Sequence, residues 1–211
     1  MNPLRVLALL SDPWFTSSLD SVVAFLAGAL TAIFADPIRQ RIFRPKPRLL
    51  FGLSNNFALN APLTVGNPAK TVNGIILRGA VTNDGVTIAK KCRVYLVNIE
   101  KQNERTMAFD QTDFGDTLPI QWSSRLPPQF EPLNIPKDTI HYFEILDIYE
   151  GHSEFHPHVE FFPSRYSALV SEKGVFRFTL QLAGEGFEPE MMKVEFSWAG
   201  SFPTYTAKQV T

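Results

Sequence analysis

The chain holds 211 residues, with 20 Lys and Arg against 21 Asp and Glu and a net charge of −1. That balance excludes a general nucleic-acid binder, which concentrates its cations in a basic face or stripe. The single cysteine, Cys92, excludes an internal disulfide framework, and 16 prolines with 12 glycines and 18 phenylalanines favour many short elements joined by turns over long helices.

In chain order, the first element is SVVAFLAGALTAIFA, residues 21–35, which carries no charge. Asp12 and Pro13 supply an N-cap and a first-turn proline. The pattern therefore predicts a helix over 14–35 that crosses a bilayer, with Trp14 in the aromatic belt. Arg39, Arg41, Arg44, Lys46 and Arg48 follow directly. Lys and Arg gather on the cytoplasmic side of a span, so the expected topology is single-pass in the inner or plasma membrane. The amino terminus faces out and the remainder is cytoplasmic, with the basic cluster against anionic headgroups. Two alternatives compete with the span. A cleaved signal peptide carries its positive charge before the apolar core, whereas only Arg5 and the amino terminus precede this one. A buried helix of a soluble domain is the other. Ala24, Gly28 and Ala32 recur at four-residue spacing, a small-residue face that lets helices associate and would support a homo-oligomer.

From Arg48 onward helical periodicity disappears. The expected organisation is an N-terminal segment 1–36, a basic juxtamembrane linker 37–48 and a β-sandwich 49–211. Predicted strands are RLLFGLS, VNGIILRGAVTND, AKKCRVYLVNIEKQ, RTMAFDQT, TLPIQWSS, DTIHYFEILDIYE, HVEFFPS, GVFRFTLQLAGEG and EMMKVEFSWAG, rich in Val, Ile, Phe and Tyr and bounded by turn residues. In VFRFTLQL, Phe176, Phe178, Leu180 and Leu182 share one parity against Arg177, Thr179 and Gln181. Cys92, Val94 and Leu96 alternate likewise, so Cys92 packs inward as a small hydrophobe. Trp122 and Trp198 are candidate core anchors, and Asn83-Asp84-Gly85 is a turn that tolerates positive φ. Short, regularly spaced strands without intervening helices predict a mainly β, two-sheet antiparallel sandwich behind the transmembrane helix.

The stretch VTNDGVTIAKKCRVYLVNIE, through Val81, Asn83, Gly85, Ala89, Val94 and Leu96, resembles the strand–turn–strand of bacterial immunoglobulin-like modules, including the cell-adhesion-related domain found in bacteria. The tail FRFTLQLAGEGFEPEMMKVEFSWAG resembles the closing hairpin of bacterial proteins that place such a sandwich behind one N-terminal span. The resemblance implies an immunoglobulin-like fold and no particular activity. Adhesion-type modules are usually exported, whereas the charges here place the domain inside.

Motifs for catalysis are missing: no GxSxG, no HExxH and no CxxC occur. GEG at 184–186 lies between two strands, without the helix that phosphate binding needs. Asp110, Asp113 and Asp116 offer oxygen ligands but no EF-hand spacing. The one concentrated donor set is HSEFHPHVEFF, where His152, Glu154, His156, His158 and Glu160 share a parity. Zinc or copper accepts imidazole and carboxylate ligands, so His152, Glu154, His156 and His158 are the candidate metal ligands. Amphipathicity alone explains the same pattern, since Phe155, Pro157, Val159 and Phe161 take the other face. Pro157 favours an edge strand.

The sequence thus predicts a non-enzymatic, membrane-anchored binding or scaffolding protein without a cofactor. It would be a small subunit of a membrane-associated complex whose partners are the lipid bilayer and another protein. A metal-dependent enzyme or sensor built on the His152–His158 cluster, and an exported envelope domain, are the alternatives.

Overall fold

A computed structural model describes residues 23–25, 28–29, 43–52, 56–66, 68–123 and 129–210. The chain divides into two units, Met1–Arg44 and Pro45–Thr211. In the first, residues 23–25 and 28–29 are helical.

The N-terminal span requires correction. Among the described residues, no helix is long and apolar enough to cross a membrane. This overturns the transmembrane helix, the single-pass topology and the membrane localisation expected above. Length supplies the physical reason: the uncharged run is 15 residues, against the roughly 20 that a bilayer core demands. Trp14, Ala32, Arg39 and Arg41 lie outside the described residues, while Ala24 and Gly28 fall in the short helical stretches. Of the basic cluster, Arg44, Lys46 and Arg48 lie among the described residues. The Lys46 amide donates to Asn83 Oδ1 at 3.0 Å, and Arg48 sits in the first strand, ion-paired to Asp84 at 3.3 Å.

The second unit is mainly β, with all strand pairs antiparallel in two sheets. One sheet is built on β3 (Lys70–Asn83). Along one of its edges lie β2 (Ala58–Val65) and then β1 (Pro47–Leu50); along the other lies β8 (Ile140–Tyr149), with β9 (Phe155–Pro157) outermost. The second sheet is built on β4 (Ala89–Gln102) and β10 (Gly174–Glu185), continuing through β11 (Glu190–Trp198) to β12 (Tyr205–Val210). The free side of β4 is covered in relay by β5 (Phe109–Gln111), β6 (Leu118–Pro119) and β7 (Leu133–Ile135).

The alternation read from β10 holds: Phe176, Phe178, Leu180 and Leu182 are buried, and Cys92, Val94 and Leu96 face them from β4. Phe155 fills the space between the sheets, its ring 5.1 Å from Phe176, 5.5 Å from Phe196 and 5.9 Å from Phe178. Trp122 and Trp198 are both buried core anchors. Such aromatic contacts add about 0.5–1.5 kcal/mol per pair beyond area burial. The expected strand HVEFFPS is displaced: pairing occurs at Phe155–Pro157, and Val159 makes only a single bridge to Ile120. Pro157 stands on an edge strand, as its missing N–H requires.

Asn83 carries more than a turn. Its Oδ1 accepts from the Lys46 and Gly85 amides, and its Nδ2 donates to the Thr87 and Ile135 carbonyls. The fully buried side chain thereby joins β1, the turn and β7.

Candidate functional site

The site grows from an irregularity in β8. Leu77 pairs with Leu146, but Arg78 pairs with Glu144, so Ile145 is an extra residue opposite β3. A β-bulge of this kind shifts side-chain phase by one. Phe143 and Ile145 point to the core before it, Leu146 and Ile148 after it. Glu144 and Asp147 are three apart and would face opposite ways on a regular strand; the bulge sets both on the outer face. The signal was present in the sequence as adjacent Ile145 and Leu146 between two alternations of opposite phase.

His158 stands between these carboxylates. Its Nδ1 is 2.9 Å from Glu144 Oε2 and its Nε2 is 2.9 Å from Asp147 Oδ2. All three side chains are largely buried, at 19%, 11% and 13% exposure for His158, Glu144 and Asp147. A neutral imidazole has one donor, so it can satisfy only one ionised carboxylate, whereas imidazolium satisfies both. Burial works against that charge, but the hydrogen bonds and charges of Asp147 and Glu144 outweigh it and lift the His158 pKa to about 9. Gln121 Nε2 adds a donor to Glu144 Oε2 at 3.2 Å. Arg78, opposite Glu144 in register, supplies a second cation on the same face.

His158 is held in place by backbone at a three-way junction. Its amide donates to Ile145 O at 3.1 Å, and its carbonyl accepts from the Gln121 amide at 2.9 Å. Residues 118–123 cross between the sheets here. Leu118–Pro119 pairs with β4, and then Ile120 bridges Val159 while Trp122 bridges Phe143.

The other histidines are used differently. His156 stacks on Tyr149, centroids 4.7 Å apart at 11°, while His152 meets the same ring edge-on at 4.3 Å. Burial pushes the His156 pKa down, although Asp147 and Glu154 oppose the shift. Glu154 accepts a hydrogen bond from Ser171 Oγ at 2.9 Å. Both nitrogens of His158 are engaged by carboxylates, which leaves it none for a metal. Among the described residues no group of three or more His, Cys, Asp or Glu is placed to hold one. Asp116 is ion-paired to Arg165 and Asp110 accepts from Asn103, so the three aspartates do not converge either. Burial lifts the Cys92 thiol to about 12, so it stays protonated.

A cleft of about 660 Å³ opens between the β4–β5 end of the second sheet and the 3-10 turn Ser164–Tyr166 with its following helical turn Ser167–Val170. Phe114 and Tyr166 are buried beneath it, centroids 5.0 Å apart, and the Gly115 amide donates to the Tyr166 hydroxyl. Lys101 and Glu172 form an ion pair at its side. Sequence reasoning missed both the cleft, which joins residues far apart in sequence, and the Glu144–Asp147 pair, which depends on the bulge in β8. Comparison with protein-family models and with curated proteins finds no match for this chain.

Proposed function

We propose that this chain is a non-catalytic binding module that docks an extended segment of a partner protein in the cleft beside β5. The cleft carries the reading. Its floor is aromatic and aliphatic, through Phe114, Tyr166 and Leu169, and its rim is charged. Arg105, Glu104 and Asp113 stand on that rim without an ion pair among the described residues. An apolar centre inside a polar rim is the anatomy of a protein interface, and charges of both signs suit a polypeptide better than a polyanion. β5 closes its sheet with an outer edge that no strand covers among the described residues, and an extended segment can add to such an edge through its main chain. The engaged nitrogens of His158 and the buried, protonated Cys92 support a role without catalysis.

Peptides selected from a random library on the full chain test the reading. They should shift the amide signals of residues 101–114 and 165–172 and lose about tenfold in affinity on Arg105→Glu, roughly 1.4 kcal/mol. Peptides that map elsewhere, or a failure to select any with a Kd below about 1 mM, would remove the cleft from consideration.

A further inference from the structure

Residues 158–162 tie the histidine site to the cleft. The Glu160 amide donates to Pro119 O at 3.0 Å, Val159 bridges Ile120, and Phe162 then stacks against Phe114 at 6.4 Å and packs on Tyr166 at 5.8 Å. The chain continues into the turn that carries Arg165, Tyr166 and Leu169, one wall of the cleft. Among the described residues, the side-chain anchor with charge at the start of this stretch is His158, held by two carboxylates of β8. The titratable or charged groups around it are Glu144 and Asp147 on β8, His156 on β9 and Arg78 on β3 behind Glu144; the crossing segment offers neutral Gln121.

We infer that the His158 imidazolium is a proton-operated latch on the cleft. Charged, it donates to both Glu144 and Asp147 and pins residues 158–162 against β8 and the crossing segment, which holds Phe162 against Phe114 and Tyr166 of the cleft. Uncharged, it keeps one donor, so one buried carboxylate faces a lone pair and the pin opens. The latch stands on the histidine geometry alone. Its effect on a partner rests on the reading of the cleft as a docking face.

The test uses the full chain. Imidazole NMR with nitrogen detection should show both His158 N–H groups at about pH 8; a single protonated nitrogen there overturns the inference. In His158→Gln, amide exchange across 159–170 should quicken about tenfold or more while β10 and β11 stay unchanged, as a local rather than global opening requires. Unchanged exchange, or an equal change everywhere, overturns it. Should that variant fail to fold, the wild type answers the same question. After correction for intrinsic base-catalysed exchange, protection of 159–170 should fall selectively between about pH 8 and pH 10, and protection that stays level rejects the latch. Local opening without any change in affinity for cleft-selected peptides would uphold the latch and sink the docking role of the cleft, so the two readings fail separately.

Discussion

Consider urea unfolding of the full chain from about pH 6 to pH 10, in the wild type and in His158→Gln. The unfolded histidine titrates at 6.5 and the folded one at about 9, and at about 1.36 kcal/mol per pH unit this corresponds to roughly 3 kcal/mol. The partial exposure of the ring, 19%, reduces that figure through solvent screening. The sign follows from proton binding. Between the two pKa values the folded chain holds a proton that the unfolded chain has released. The stabilisation is therefore complete below about pH 6.5 and is lost as the pH rises through about 9. His141 and His156 act oppositely: burial lowers both pKa values, so they cost stability as the pH falls below the ordinary histidine range. The wild type should thus lose 2–3 kcal/mol, approximately, on the alkaline side. His158→Gln should lack the fall between about pH 6.5 and pH 9 and keep the acid one. Above about pH 9 the buried Cys92 thiol, lifted to about 12, lowers stability in both proteins. Parallel alkaline limbs in the two proteins would refute the charged state of His158.

Four further outcomes follow from packing, hydrogen bonding and burial. Asn83→Ala removes four hydrogen bonds from a fully buried side chain and should cost about 3 kcal/mol or more in the urea midpoint; a loss under about 1 kcal/mol would contradict its joining role. Gly79→Ala places a Cβ 2.2 Å from Phe143 Cζ, inside a fully buried ring, and should destabilise by about 1–3 kcal/mol. Gly74→Ala meets Leu63 at 2.3 Å, but that side chain is half-buried and can turn aside, so the same assay should read a smaller loss. Cys92, fully buried with its thiol at about 12, should not react with a disulfide reagent at about pH 8 until urea unfolds the chain.

Long strands such as β10 and β11 are legible because parity decides them, whereas β12 is not among the predicted strands. Phe176, Phe178, Leu180 and Leu182 read as a core face and are one. β2 was missed because Pro62 and a weak alternation conceal it; it lies on a sheet edge, where few side chains are buried. The apolar run at 21–35 was read from hydropathy, a local property, and its expected span does not stand. The sequence tests the histidine cluster only by parity on one strand. That test is blind to a bulge on the neighbouring strand and to the crossing segment 118–123, and those two features decide what His158 touches.

A buried ion trio is weak evidence for stability, since apolar residues of the same volume often serve as well. Its value here lies in register. Ile145 is an insertion in β8, and an inserted residue can in principle relax by sliding the strand one place. Such a slip would turn Leu146 and Ile148 outward and drive Asp147 into the core. His158 resists it because its two nitrogens are matched to Glu144 and Asp147 only while both occupy the outer face. The same register seats Phe143 beneath Gly79 and beside Trp122, whose rings lie 6.3 Å apart and nearly perpendicular. The bulge thus makes the carboxylate pair possible, and the imidazolium bound to that pair holds the bulge where it is.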